Sequence, residues 1–144
     1  MEKVTDSIIN AGVNDYHTTL FENQYMLEAG MAYNSYVILD DKVAVMDSVD
    51  SAVTETWMKN LEEALHGRTV NYIVVQHMEP DHSGSLMQLI EKYPEMKIVG
   101  NAKTFQMIGQ FFNMDIEDKK VIVAEGDTLE LGSHTPVSYT HLTL

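Results

Sequence analysis

An α/β fold, a mixed β-sheet with flanking helices, is what this sequence predicts, and three observations carry it. Short runs rich in Val, Ile and Tyr recur at residues 33–40, 42–47, 70–76, 96–100 and 120–124. Between the later runs lie stretches whose apolar residues fall at helical spacing. Turn-forming residues punctuate the junctions: Asp40-Asp41, Gly67, Pro80 with Gly84, and Gly126-Asp127. Strand and helix in alternation favour layers packed around one sheet.

The elements follow in order. Residues 33–40 (YNSYVILD) and 42–47 (KVAVMD) read as an antiparallel hairpin turning at Asp40-Asp41. Ser51 begins a helix that places Val53, Trp57, Leu61 and Leu65 on one face, and Gly67 ends it. Residues 70–76 (VNYIVVQ) form a strand apolar enough to be buried on both faces. HMEPDHSGS follows as a loop, with Ser83 or Ser85 capping a helix over 86–92. A strand at 96–100, a helix at 102–112, a strand at 120–124 and a last strand at 128–131 complete a β-β-α-β-α-β-α-β-β order. No internal repeat or low-complexity tract divides the chain. One domain's worth of chain, or a piece of a larger one, accounts for its 144 residues.

Composition narrows the function. Nine Lys+Arg against 22 Asp+Glu give a net charge of −13, which provides no field for phosphate backbones and argues against nucleic acid as a partner. No apolar run approaches the roughly 20 residues of a membrane span, and residues 1–12 lack a secretory h-region. With no cysteine, disulfides, thiol chemistry and Cys-ligated clusters are excluded. The expectation is a cytoplasmic acidic protein whose chemistry rests on His and carboxylates.

Such chemistry is concentrated in one segment, Gln76-His77-Met78-Glu79-Pro80-Asp81-His82-Ser83-Gly84. It reads H-x-E-x-D-H, four potential metal ligands within six residues, where an apolar strand gives way to a loop. Alternate residues at a strand end project to one side, so His77 and Glu79 suit one ion. Asp81 and His82, past the turn, reach a second ion about 3.5 Å away, the usual two-metal separation. Pro80 stiffens the loop and Gly84 allows close backbone approach. A merely solvated charged loop is the ordinary alternative. His66 reads as a structural cation at a helix C-terminus, and His17 and His134 as polar loop residues. His141 belongs to the chain's last stretch.

The segment resembles the metal loop of the metallo-β-lactamase superfamily, whose usual form is H-x-H-x-D-H. With Glu79 in place of the second His, it is similar to the flavodiiron proteins (A-type flavoproteins). GVND at 12–15, LFENQY at 20–25, MAYNSYVI at 31–38 and VMDSVD at 45–50 agree, and the resemblance covers about residues 5–135. It implies the N-terminal half of a metallo-β-lactamase-like αβ/βα sandwich holding two iron ions that reduce O2 to water or NO to N2O. His77 and Glu79 would be ligands of the iron nearer the flavin, Asp81 and His82 of the other, with Glu22 behind them. The anionic oxygen of Glu79 favours iron over zinc. The electrons would come from FMN in a flavodoxin-like domain that follows the metal domain, fed by a rubredoxin-like donor, in a head-to-tail homodimer.

The departures carry weight as well. The next His ligand, the bridging Asp, the last His and the flavin domain are not among these residues, so FMN is not expected on this chain. Residues 1–135 read as a partial metal domain, and 136–144 (PVSYTHLTL) as a non-native tail. Alone, the chain is expected to be inactive, with apolar sheet faces uncovered near Val37, Val45, Val74 and Val121. Other readings stay open: an O2-sensing di-iron module, a zinc-dependent metallo-hydrolase of the same superfamily, or an inert fragment.

Overall fold

Alternating apolar residues line up across the sheet. Ile9, Val37, Val45, Ile73 and Ile98 are successive register partners, and none is more than 6% exposed. This row is the floor of the core. The computed structural model describes residues 2–15, 20–21, 25–26, 31–76, 84–111, 116–124 and 126–136.

Short strands come first: β1 (Glu2–Lys3), β2 (Ile8–Asn10), β3 (Val13–Asp15), β4 (Leu20–Phe21), β5 (Tyr25–Met26) and β6 (Met31–Tyr33). The sequence resolved none of them, because two or three residues are too few to show a period. The expected hairpin is present as β7 (Tyr36–Ile38) and β8 (Ala44–Met46), antiparallel with Val37 opposite Val45. Then follow α1 (Thr54–Leu65), β9 (Tyr72–Val74), α2 (Leu86–Lys92), β10 (Lys97–Gly100), α3 (Ala102–Phe111) and β11 (Lys120–Ile122). The main sheet runs β1-β2-β7-β8-β9-β10-β11, while β3 pairs with β6 and β4 with β5. Pairing is antiparallel from β1 to β8 and parallel from β8 to β11. Helical crossovers impose that change, since parallel neighbours need a long connection.

The helices cover the floor. Trp57, Leu61 and Leu65 of α1, Leu86, Leu89 and Ile90 of α2, and Phe105 and Ile108 of α3 share one buried cluster with the sheet row. Glu55, Lys59, Glu62 and Glu63 of α1 face water. A short 3-10 turn, Ser51–Val53, precedes α1, and the Asp50 carboxylate accepts from Ala52 N at 2.9 Å there. Val53 therefore lies just before the helix. At the other end His66 (φ 50°) and Gly67 (φ 85°) are both left-handed, which stops α1 one residue earlier than Gly67 alone suggests.

Three expectations need correction. Val37 and Val45 are fully buried, because the helices of this same segment cover their face. The 70–76 strand is not buried on both faces: Tyr72 and Val74 are half-buried. Among the described residues the second face carries a small cluster, Ile38, Ala44 and Leu131, with Ile8, Met46, Tyr72 and Leu129 at its margin. Residues 128–131 do not form a strand. Leu129 N and Leu131 N bond the carbonyls of Pro136 and His134, so the segment folds on its own continuation while Lys42 N takes the Leu131 carbonyl.

Candidate metal centre

Both ends of the H-x-E-x-D-H loop are tied to the chain between β8 and α1. At the entrance, Asp47 adopts φ 63°, a left-handed conformation that Asp tolerates better than most residues. Its N–H donates to Val74 O at 2.9 Å, and its carbonyl accepts from the buried Ser35 hydroxyl at 2.7 Å. Its carboxylate is thereby turned to accept from Gln76 N at 2.7 Å. Asp47 is 5% exposed, so this charge-assisted bond sits under cover. The backbone immediately before His77 is thus fixed by a side chain 29 positions away.

The exit is held as firmly. Ser85 N donates to Val49 O at 2.8 Å. Its side chain, fully buried, lies 2.6 Å from Thr54 Oγ1 and 3.3 Å from the Asp50 carbonyl. Ser85 is the N-cap residue of α2, as expected, yet its hydroxyl makes no capping bond. Sequence reasoning missed Asp47, Thr54 and Ser85 as supports. No local signal marks them, because Asp47 and Ser85 act through bonds to residues 29 and 31 positions away.

His77, Glu79, Asp81, His82 and Glu22 lie outside the described residues, as do His17 and His141. Among the described residues no cluster of three or more His, Cys, Asp or Glu could hold a metal. His66 caps α1 through its backbone, its N–H reaching Glu62 O at 3.3 Å. His134 is more than a polar loop residue: its Nδ1 lies 2.7 Å from Asp40 Oδ2 and its Nε2 2.9 Å from Ser7 Oγ. Both ring nitrogens are engaged there, which leaves neither for a metal. The donor chemistry of His77, Glu79, Asp81 and His82, two imidazoles and two carboxylates, suits a pair of first-row metal ions.

Residues 31–142 match the ODP family beta lactamase. That span takes in 136–142, which the sequence alone set apart from the family. The flavo-diiron protein FprA2 of Clostridium acetobutylicum is 29% identical over 131 residues, 91% of this chain and 32% of that protein. An anaerobic nitric oxide reductase flavorubredoxin of Vibrio vulnificus is 31% identical over 122 residues, 84% of this chain and 24% of that protein. Among solved structures, rubredoxin oxygen:oxidoreductase of Desulfovibrio gigas superposes with a TM-score of 0.88 at 27% identity, covering 96% of this chain and 34% of that one. The flavodiiron protein of Giardia intestinalis gives 0.84 at 26%, over 93% and 32%. The chain spans a quarter to a third of these relatives. Its mixed sheet with helices packed on one face is the metallo-β-lactamase-like architecture of these neighbours. With that architecture, that loop and a family match over most of its length, this chain belongs to the ODP beta lactamase family, as an N-terminal domain of the flavodiiron type.

Proposed function

We propose that the chain supplies the first ligand loop of a non-haem di-iron centre in an oxidoreductase that reduces O2 to water or NO to N2O. His77 and Glu79 hold the iron nearer the flavin, and Asp81 and His82 the other, with Glu22 behind them. The observation that carries the reading is Glu79 inside H-x-E-x-D-H, in a chain whose relatives are flavodiiron proteins. A carboxylate there adds negative charge and a hard oxygen donor, which favours iron over zinc. Held by these residues, an iron pair would supply the redox chemistry that reduction of O2 or NO requires. What the chain's own residues do is hold the loop's two ends in register through Asp47 and Ser85. Electrons come from FMN in a flavodoxin-like domain outside these 144 residues, reduced by a rubredoxin-like donor. The whole protein would be a head-to-tail homodimer in the cytoplasm. The two relatives named for rubredoxin oxygen:oxidoreductase and nitric oxide reductase support the pair of substrates.

The test is anaerobic titration of the 144-residue chain with ferrous iron, in competition with zinc. Glu79→Ala is expected to weaken iron uptake by about tenfold or more, the scale of losing a ligand or its support. Glu79→His is expected to move the preference to zinc, by restoring the all-imidazole pair of hydrolase sites. Preferential binding of two zinc ions by the unmodified chain, with ester or lactam hydrolysis, would overturn the reading in favour of a hydrolase.

A further inference from the structure

A serine at a helix N-cap normally accepts a hydrogen bond from the second or third amide of its helix. Ser85 does not, although it stands at the N-cap of α2. Its hydroxyl is turned to the start of α1, 2.6 Å from Thr54 Oγ1, in a site where its side chain is fully buried. Thr54 in turn donates to Ser51 O at 3.0 Å. Ser85 Oγ also lies 3.3 Å from the Asp50 carbonyl, so each hydroxyl has a backbone acceptor of its own and either can be the donor across the 2.6 Å contact. The two hydroxyls thus join the start of α2 to the Ser51 and Asp50 carbonyls just before α1. Forgoing the cap costs α2 about 1 kcal/mol by general experience, so the contact that replaces it has its own consequence.

That consequence lies in what Ser85 terminates. It is the second residue after the 77–83 loop, and its N–H is bonded to Val49 O at 2.8 Å. At the loop's other end Gln76 N is bonded to the Asp47 carboxylate at 2.7 Å. One short piece of chain, 47–54, therefore grips both ends of the loop. A two-metal site tolerates little error in the separation of its ligands, and supports that fix their backbone are worth as much as many ligands.

We infer that Thr54 and Ser85 are a positioning pair for the metal loop: their buried hydroxyl contact sets where the loop leaves the site and so sets its metal affinity. This rests on the metal-site reading above. Thr54 is only half-buried, so its replacement is mild for the fold.

The experiment uses Co(II) as the probe, titrated anaerobically into the 144-residue chain and followed by its visible d–d bands. Thr54→Val keeps the shape and removes the hydroxyl; it is expected to lower Co(II) affinity about tenfold, in the range known for supports of metal ligands. Thr54→Ser keeps the hydroxyl and is expected to restore it. Ser85→Ala, which also loses the contact to the Asp50 carbonyl, is expected to lower affinity at least as much as Thr54→Val, and the double variant to be no worse than Ser85→Ala, because both remove the shared contact. Deuterium exchange at the Ser85 amide is expected to quicken in Thr54→Val while amides of β9 and β10 keep their rates. Co(II) uptake that the variants leave unchanged, or losses that simply add, would overturn the inference and leave the metal site standing. No uptake by the unmodified chain would overturn the inference, since a contact cannot set an affinity that the chain lacks.

Discussion

The Asp40 carboxylate is bonded from two separate stretches of the chain. Its Oδ2 accepts from His134 N at 2.6 Å and faces His134 Nδ1 at 2.7 Å, while Oδ1 accepts from Asp41 N at 2.8 Å. Arg68 Nη2 meets the Asp40 and Asp41 carbonyls from the other side. Because Nδ1 faces a carboxylate, it carries the proton; a neutral ring then presents Nε2 as acceptor to the Ser7 hydroxyl. Residue 7, the β7–β8 turn and the 131–134 segment are joined at this one point. The His134 hydrogen bond, helped by the backbone N–H groups of Ser133, Asp41 and His134, outweighs burial and holds the Asp40 carboxyl well below its ordinary value of 3.8. A carboxyl depressed in the folded state stabilises the fold above its unfolded pKa and loses that contribution as pH falls through the folded one. Stability from Asp40 is therefore complete above about pH 5 and declines below pH 3.8. Urea midpoints measured from pH 6 down to pH 2 are expected to fall less steeply for Asp40→Asn than for the unmodified chain. Equal slopes would show that the Asp40–His134 contact does not respond to protonation. Gly132 belongs to the same arrangement, since at φ 126° a Cβ there would press on both the Asp40 and Asp41 carboxylates.

At the scale of elements, α1 is the one on which the others depend. Its buried stripe Trp57, Leu61, Ala64 and Leu65 joins the sheet, and Asn60 Nδ2 ties it to the N-terminal backbone through Ala11 O (3.2 Å) and Gly12 O (3.1 Å). Gly12 has no alternative there, since a Cβ would stand inside contact distance of the Tyr33 carbonyl oxygen. Leu61→Ala is expected to cost roughly 2–5 kcal/mol in chemical denaturation, because Leu61 is fully buried and the sheet beneath cannot collapse into the space. A loss under about 1 kcal/mol would mean that α1 is loosely seated. This helix was legible in the sequence because twelve residues of period-3.6 patterning leave little ambiguity. The β7–β8 hairpin, β9, β10 and α3 were legible for the same kind of reason, and Asn101 Oδ1 caps α3 by accepting from Thr104 N at 2.8 Å. Strands β1 to β6 were not, because Ile8-Ile9-Asn10 becomes a strand only through pairing with Tyr36–Ile38, a contact that no local pattern announces. For the candidate site, H-x-E-x-D-H puts donor types in view whose placement lies outside the described residues, and the residues that tie its flanks were not legible. Asp47 and Ser85 matter through bonds to residues 29 and 31 positions away, and such spacing has no signature in a linear pattern.

For the whole molecule, the deciding asymmetry is between the two edges of the main sheet. One edge, β1, is two residues long and offers little to pair with. The other is β11, and among the described residues no strand pairs with its outer side. Ile122 in β11 is 58% exposed, and Val121 beside it is half-buried. An open strand with exposed apolar residues is a template for another copy. Two features oppose that pairing: Lys120 lies in the strand, and each chain has a net charge of −13. The charge acts at long range and is screened beyond about 8–10 Å at physiological salt, whereas backbone pairing and apolar contact are not. Salt should therefore promote association of this chain, the reverse of what an ion-paired interface would show. Sedimentation velocity is expected to give mostly monomer at low ionic strength and growing dimer as salt is added. Ile122→Lys, which removes the apolar contact and adds a cation to each of two facing edges, is expected to keep the chain monomeric throughout. Dimer that dissolves with salt would place the contact elsewhere, on charged surface. A dimer unaffected by Ile122→Lys would show that β11 is not the edge involved.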